Sequence, residues 1–177
     1  MSRLRGSLVL IAVVVVLDQL TKWLVVRSIG LHDSVPLVDG LLSLSHVRNR
    51  GAAFGILSDW DLPYQSAVLA TLSLAALSAI AVYFWRLPKA ARLPRFALGL
   101  VLGGAIGNLI DRARLGYVVD FVHVYWRQHQ WPDFNVADSA ITIGVTLLVI
   151  DILRSPGHEP AADATADPAG QTAGRIE

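Results

Sequence analysis

Four long apolar runs alternate with polar interludes along this chain, and each run is long enough to enter or cross a bilayer. The first, Leu8 to Val26, follows a short basic start containing Arg3 and Arg5. As a helix it would rise about 28 Å, against a hydrocarbon core of about 30 Å. A basic start and an apolar middle also describe a signal peptide. No small-residue cleavage site follows, however, and the run carries on through Asp18, Gln19 and Lys22 to Trp23, so a retained spanning helix is expected. The second run, Ala67 to Trp85, ends in Tyr83, Phe84 and Trp85, which suit a membrane interface. The third, Phe96 to Ile110, places Gly99, Gly103 and Gly107 on one helical face with Gly104 beside them, a pattern for close helix approach. The fourth, Val136 to Leu153, stops at Arg154 and Pro156.

The pattern predicts one domain over 1–154, with spans at about 8–26, 67–85, 96–110 and 136–153 and two polar outer segments, 27–66 and 111–135. In the first segment Leu41 to Val47 partly alternates apolar and polar residues, a strand signal. Arg48-Asn-Arg-Gly-Ala-Ala-Phe-Gly55 then reads as a turn or close-approach loop. In the second, Tyr117 to Trp126 is β-branched and aromatic. A small sheet lying on the membrane surface accounts for both. The tail 155–177, rich in Ala, Asp, Gly and Pro, is expected to be disordered, cytoplasmic and dispensable.

Composition sharpens this picture. The chain is 54% hydrophobic and 16% charged, against about 25% charged for a soluble domain. A formal net charge of +1 argues against a nucleic-acid partner. The absence of cysteine excludes disulfides, thiol nucleophiles and Cys-ligated metals. The loop Arg86 to Arg95 holds four basic residues, two prolines and no acid, which makes it cytoplasmic by the positive-inside rule. Four spans then put both termini on that side and both outer segments on the other. Arg48, Arg50, Arg112, Arg114 and Arg127 lie in the outer segments, so the asymmetry is one of local density. The expected fold class is an all-α membrane protein: four transmembrane helices with a small extracytoplasmic β-sheet or cradle and an outer lid-like loop.

Polar residues at the rims of these runs carry the chemistry. Asp18 and Lys22 are spaced i, i+4 and share a helix face. They serve either as an ion pair that sets helix packing or as part of a site, since a charge in a span costs about 2.5–3.5 kcal/mol at the helix centre. Asn108 and Arg112, with Asp111 between them, read as a helix-end hydrogen-bond network or as support for a site. Asn135-Val-Ala-Asp138 looks like a helix start, with Asn135 as N-cap and Asp138 at the third helical position. The helix dipole there favours an ionised Asp138. Asp120 sits among Val118, Val119, Phe121 and Val122, an apolar setting that favours its protonated form. Each aspartate taken alone is an ordinary interfacial acid. Together, with all these groups toward the outer half of the membrane, they form a candidate acid–base pair.

Asp18-Gln-Leu-Thr-Lys22, Arg48 to Gly55, Gly103-Gly-Ala-Ile-Gly-Asn-Leu-Ile-Asp-Arg112, Val119-Asp120-Phe121 and Phe134-Asn-Val-Ala-Asp138 together resemble the bacterial lipoprotein signal peptidase family, signal peptidase II. The resemblance covers roughly residues 8 to 154, in order. It implies an intramembrane aspartyl endopeptidase of the bacterial inner membrane with its site facing outward. Its substrate would be a prolipoprotein with a diacylglyceryl-cysteine, cut on the N-terminal side of that cysteine. Asp120 and Asp138 would be the catalytic aspartates. Asp18, Lys22, Asn49, Gly51, Asn108, Asp111, Arg112, Asn135 and Ala137 would support or line the site, with the segment carrying Gly51 and Gly55 as a lid. The same resemblance implies no metal or cofactor, a monomer, contact with membrane lipid, and inhibition by globomycin-type cyclic peptides. Which aspartate holds the proton at rest stays open.

Three other readings compete. A serine–lysine peptidase would use Lys22 as base, but no serine stands out beside it, and Ser139 would point elsewhere on its helix. A metalloprotease would need more than His123 and His129, because no H-E-x-x-H pair is present. A small ion-coupled transporter is the non-enzymatic alternative, since intramembrane Asp, Lys and Asn also mark ion paths. Against it, the polar residues gather at one face, and no inverted repeat is visible.

Overall fold

The computed structural model describes residues 2–51, 64–88 and 90–154. The expected lid position Gly55 and the tail 155–177 lie outside the described residues. The elements run α1 (Ser2–Ser28), β1 (Ser34–Val38), β2 (Leu42–Asn49), α2 (Gln65–Arg86), α3 (Arg92–Leu115), β3 (Val118–Trp126), β4 (His129–Gln130) and α4 (Val136–Arg154).

All four helices are long and apolar enough to cross a membrane, with mean hydropathies of 2.1, 2.1, 1.5 and 2.0 in chain order. Their large apolar side chains largely point outward. Val9, Val13 and Leu24 of α1, Leu72 and Val82 of α2, and Ile143 and Val149 of α4 are all exposed, the arrangement suited to a lipid solvent rather than water. The exception is α3, half of whose most apolar stretch is buried because it packs against α1, α2 and α4.

The glycines of α3 make that central position possible. A Cβ at Gly103 would lie 2.8 Å from Val14 of α1, and one at Gly104 would lie 2.3 Å from the carbonyl oxygen of Ala137 on α4. Only a bare backbone fits between the two neighbours. The helix also continues beyond the apolar run, so Asp111 and Arg112 occupy its last turns. Gly116 then ends it in the left-handed conformation (φ 77°), its N–H bonded to the Arg112 carbonyl at 3.1 Å.

The strands form one antiparallel sheet in the order β1-β2-β3-β4. The strand expected at 41–47 is β2, and the β-branched stretch at 117–126 contains β3. Between β2 and β3, Val47 pairs with Asp120 and Asn49 with Val118, so Asn49 and Asp120 share a face. A bulge between Leu44 and Val47 buries Ser45 and His46 in succession, which strict alternation would forbid. Below the sheet, Val25, Ile29 and Phe121 form a small apolar cluster joining α1 to β3.

Candidate active site

Asp120 enters from β3 and Asp138 from the first turn of α4, and Asn135 joins them. The Asn135 Nδ2 donates to Asp120 Oδ1 at 2.7 Å, while its backbone N–H donates to Asp138 Oδ2 at 3.2 Å. Asn135 Oδ1 in turn accepts the Asp138 backbone N–H at 3.0 Å. This reciprocal pair is a capping box, so Asp138 does cap its helix, and its other carboxyl oxygen remains for the site.

Three asparagine amides face the two carboxyls, and each is oriented by a group that can only donate. Gly51 N–H holds Asn49 Oδ1 at 2.9 Å, which turns Asn49 Nδ2 onto Asp120 Oδ2 at 2.9 Å. The Asp138 N–H orients Asn135 in the same way. The Lys22 ammonium holds Asn108 Oδ1 at 2.9 Å, leaving Asn108 Nδ2 to donate to Asp138 Oδ1 at 2.8 Å.

The two aspartates sit in unequal surroundings. Asp120 is buried, whereas Asp138 is only half-buried. Burial first, and then the negative charge of Asp138, push the Asp120 carboxyl up to about 7. The Asn49 and Asn135 amides and the Lys22 charge oppose the rise without cancelling it. Arg112 lies within electrostatic reach of Asp111, Asp120 and Asp138, and its guanidinium contacts the Gly51 carbonyl at 3.3 Å.

A second layer locks the helices together beneath the pair. Lys22 bridges Asp18 and Asp111 at 2.9 Å each. Asp18 also accepts the Ala137 N–H at 3.0 Å, so a side chain of α1 satisfies a donor at the start of α4. Asp111 accepts the Val119 N–H at 3.2 Å and so ties α3 to β3.

Every site residue expected from the sequence therefore falls in one connected network: Asp120, Asp138, Asp18, Lys22, Asn49, Gly51, Asn108, Asp111, Arg112, Asn135 and Ala137. The sequence reading assigned no role to Gln19, whose amide reaches Asp18, Asp111 and the Gly107 carbonyl. Its signal was a third polar residue inside an apolar run. It also missed Asp133, which accepts the Ser45 hydroxyl at 2.6 Å and lies 3.1 Å from His123 Nδ1, holding the loop before α4 against the sheet.

The geometry also bears on the competing readings. The three Lys22 donors are all committed to Asp18, Asp111 and Asn108, and Ser139 donates to the Asn135 carbonyl at 3.0 Å. A lysine base beside a serine nucleophile is not assembled among the described residues. Among the described residues, no three His, Asp or Glu side chains are grouped to hold a metal ion. A cavity of about 220 Å³ opens beside Asp138, lined by Trp131, Phe134, Ser139, Thr142 and Ile143.

Residues 10–154 match the family model described as signal peptidase (SPase) II. The chain belongs to the signal peptidase II family. It is thus an enzyme, an aspartyl peptidase and hydrolase by family, and a multi-pass membrane protein. A protein named lipoprotein signal peptidase in Geobacter metallireducens is 50% identical over 143 residues, covering 81% of this chain and 87% of that relative. Its namesake in Geobacter sulfurreducens is also 50% identical, covering 78% and 86%. Among solved structures, a bacterial membrane enzyme determined by the in meso method at 2.3 Å resolution is 31% identical. Its TM-score is 0.78, with 89% of this chain and 93% of that chain covered.

Proposed function

We propose that this peptidase removes the signal peptide from prolipoproteins whose cysteine carries diacylglycerol, cutting on the N-terminal side of that cysteine with a water activated by Asp120 and Asp138. The observation that carries the reading is the join at Asn135: one residue contacts both carboxyls, and burial, with the charge of Asp138, pushes Asp120 up to about 7.

The reaction follows from that asymmetry. Ionised Asp138 takes a proton from a water as the water oxygen bonds to the scissile carbonyl carbon. Protonated Asp120 gives its proton to the carbonyl oxygen as negative charge develops there. When the tetrahedral intermediate collapses, the C–N bond breaks, the leaving nitrogen takes the proton held by Asp138, and a hydroxyl proton returns to Asp120. Both aspartates end as they began. The three oriented amides hold the carboxyls in place without moving during the cycle. The cavity beside Asp138 lies along the first turns of a spanning helix, where the lipid-bearing part of a substrate would approach.

In this reading the protein sits in the bacterial inner membrane, both termini are cytoplasmic, and the sheet and dyad face outward. The first outer segment, which carries Gly51, serves as the lid, and globomycin-type peptides compete for the same cleft. The protein acts as a monomer with neither metal nor cofactor. One assay tests the chemistry: purified wild type, Asp120→Asn and Asp138→Asn are given a diacylglyceryl-modified prolipopeptide and its unmodified counterpart. The expected result is cleavage of the modified peptide by wild type alone, with each variant folded and at least about 10³-fold slower. Near wild-type turnover by either variant would leave its aspartate as a helix or strand support and refute the dyad.

A further inference from the structure

We infer that Lys22 is a positioning residue for the peptidase reaction: its ammonium orients the Asn108 amide so that Nδ2–H is held on Asp138. The inference rests on the reading of Asp138 as catalytic. Lys22 is nearly fully buried, with 3% of its surface exposed. A bare ion pair with Asp18 and Asp111 would explain two of its three donors. The third goes to a neutral amide, Asn108 Oδ1, at 2.9 Å.

That contact decides which way the amide faces. With Asn108 turned over, its NH₂ would meet the ammonium, donor against donor, and its oxygen would meet the Asp138 carboxylate, acceptor against acceptor. Asn135 Nδ2 also lies 3.2 Å from Asn108 Oδ1, but its two hydrogens are spread over three acceptors, with Asp120 Oδ1 at 2.7 Å and the Val119 carbonyl at 3.2 Å. Lys22 is therefore the dominant orienting group. Of the three asparagines around the dyad, only Asn108 is oriented by a side chain; backbone N–H groups set the other two. The charged groups facing Asp138 are Asp120 on β3 and Arg112 on α3, with Lys22, Asp18 and Asp111 behind Asn108.

Two sets of variants test the inference, with melting temperature as the fold control and kcat and KM read on the lipid-modified peptide. Asn108→Asp keeps the oxygen that Lys22 needs and removes the donor that Asp138 needs. It should fold and lose about tenfold or more in kcat, with KM within about threefold. The new carboxylate opposes Asp138 just as a turned-over amide would, so an unchanged kcat would show that the donor held on Asp138 does not matter, and the inference fails. In the second set, Lys22→Met is made together with Asp111→Asn, which preserves the net charge of the trio, and is compared with Asp111→Asn alone. The lysine change should lower kcat by a similar factor, and by less than about twofold in an Asn108→Leu background. A full-sized loss in that background would show that Lys22 acts by another route and overturn the inference. Should Lys22→Met not fold, Lys22→Gln takes its place in the same comparison, and its loss of kcat should likewise vanish in the Asn108→Leu background; a loss that persists there overturns the inference. Asp138→Asn, run beside them, separates the two levels. Its inactivity together with an active Asn108→Asp removes only the role of Lys22, whereas its activity removes the dyad.

Discussion

Asp120 is the residue at which the cost of burial becomes a working property. Unfolded, its carboxyl would release a proton near 3.8; folded, it does so at about 7, because burial and the charge of Asp138 disfavour the anion. Between those values the folded chain binds more protons than the unfolded one, so the Asp120 contribution to stability falls as pH rises across that window. It is fully present below about 3.8 and lost above about 7. Thermal unfolding in detergent at pH 5 and pH 8 should therefore show a lower melting temperature at pH 8, and Asp120→Asn should shrink the difference by several degrees. An unchanged difference would assign the slope to other groups. Activity follows the same proton: with Asp120 as the acid, kcat should decline as pH rises past about 7. A rate that climbs through pH 7–9 would reverse the assigned roles. The candidate site was largely legible in the sequence at this scale because charged and amide residues stand out in apolar runs. Beyond the Asp18–Lys22 pair and the Asn135 cap, what each one touches was not. Lys22 meets Asn108 across 86 positions and Ala137 meets Asp18 across 119, separations over which no local pattern speaks.

At the scale of elements, hydrophobic runs and glycine spacing carried most of the information. Runs of this length can be satisfied only as spanning helices, and all four appear with their expected order. The sheet was legible only where a strand was long. β2 and β3 were foreseen, but β1 is five exposed residues containing Pro36 and β4 is two residues, too short for any alternation to register. The bulge that buries Ser45 and His46 comes from pairing with β3, which the β2 sequence alone does not encode. The glycine spacing, by contrast, predicted close approach and the structure places α1 and α4 on either side of it. Gly104→Ala should therefore be severe, since the new Cβ would meet Ala137 oxygen at 2.3 Å and Ile141 at 2.8 Å. Pushing α4 outward moves the cap, Asn135 and Asp138 together. We expect a loss of roughly 1–3 kcal/mol in stability and at least about tenfold in cleavage. Gly6→Ala, with nothing within 4 Å of the added carbon, is the control and should match wild type. Equal effects from the two would show that helix propensity, not the α3–α4 contact, governs the result.

The whole molecule turns its polar network into a one-sided device. The sheet follows α1 and α3, the dyad sits where β3 and α4 begin beside it, and the basic loop joins α2 to α3 at their opposite ends. Four spans then require that the loop and both termini share one side, with β1, β4 and the dyad on the other. The absence of cysteine makes this directly measurable, because any single introduced thiol is the only one present. Ser34→Cys in β1, His129→Cys in β4 and Ala90→Cys in the α2–α3 loop all replace exposed residues. On intact spheroplasts a membrane-impermeant maleimide should label the first two, and the third only after lysis. Labelling of all three before lysis would break the four-span arrangement. The inverse pattern would keep the spans and put the dyad in the cytoplasm, where a peptidase acting on exported substrates would meet them before export. An outward dyad, four spans and a cytoplasmic basic loop are thus one claim, and a single labelling experiment tests it.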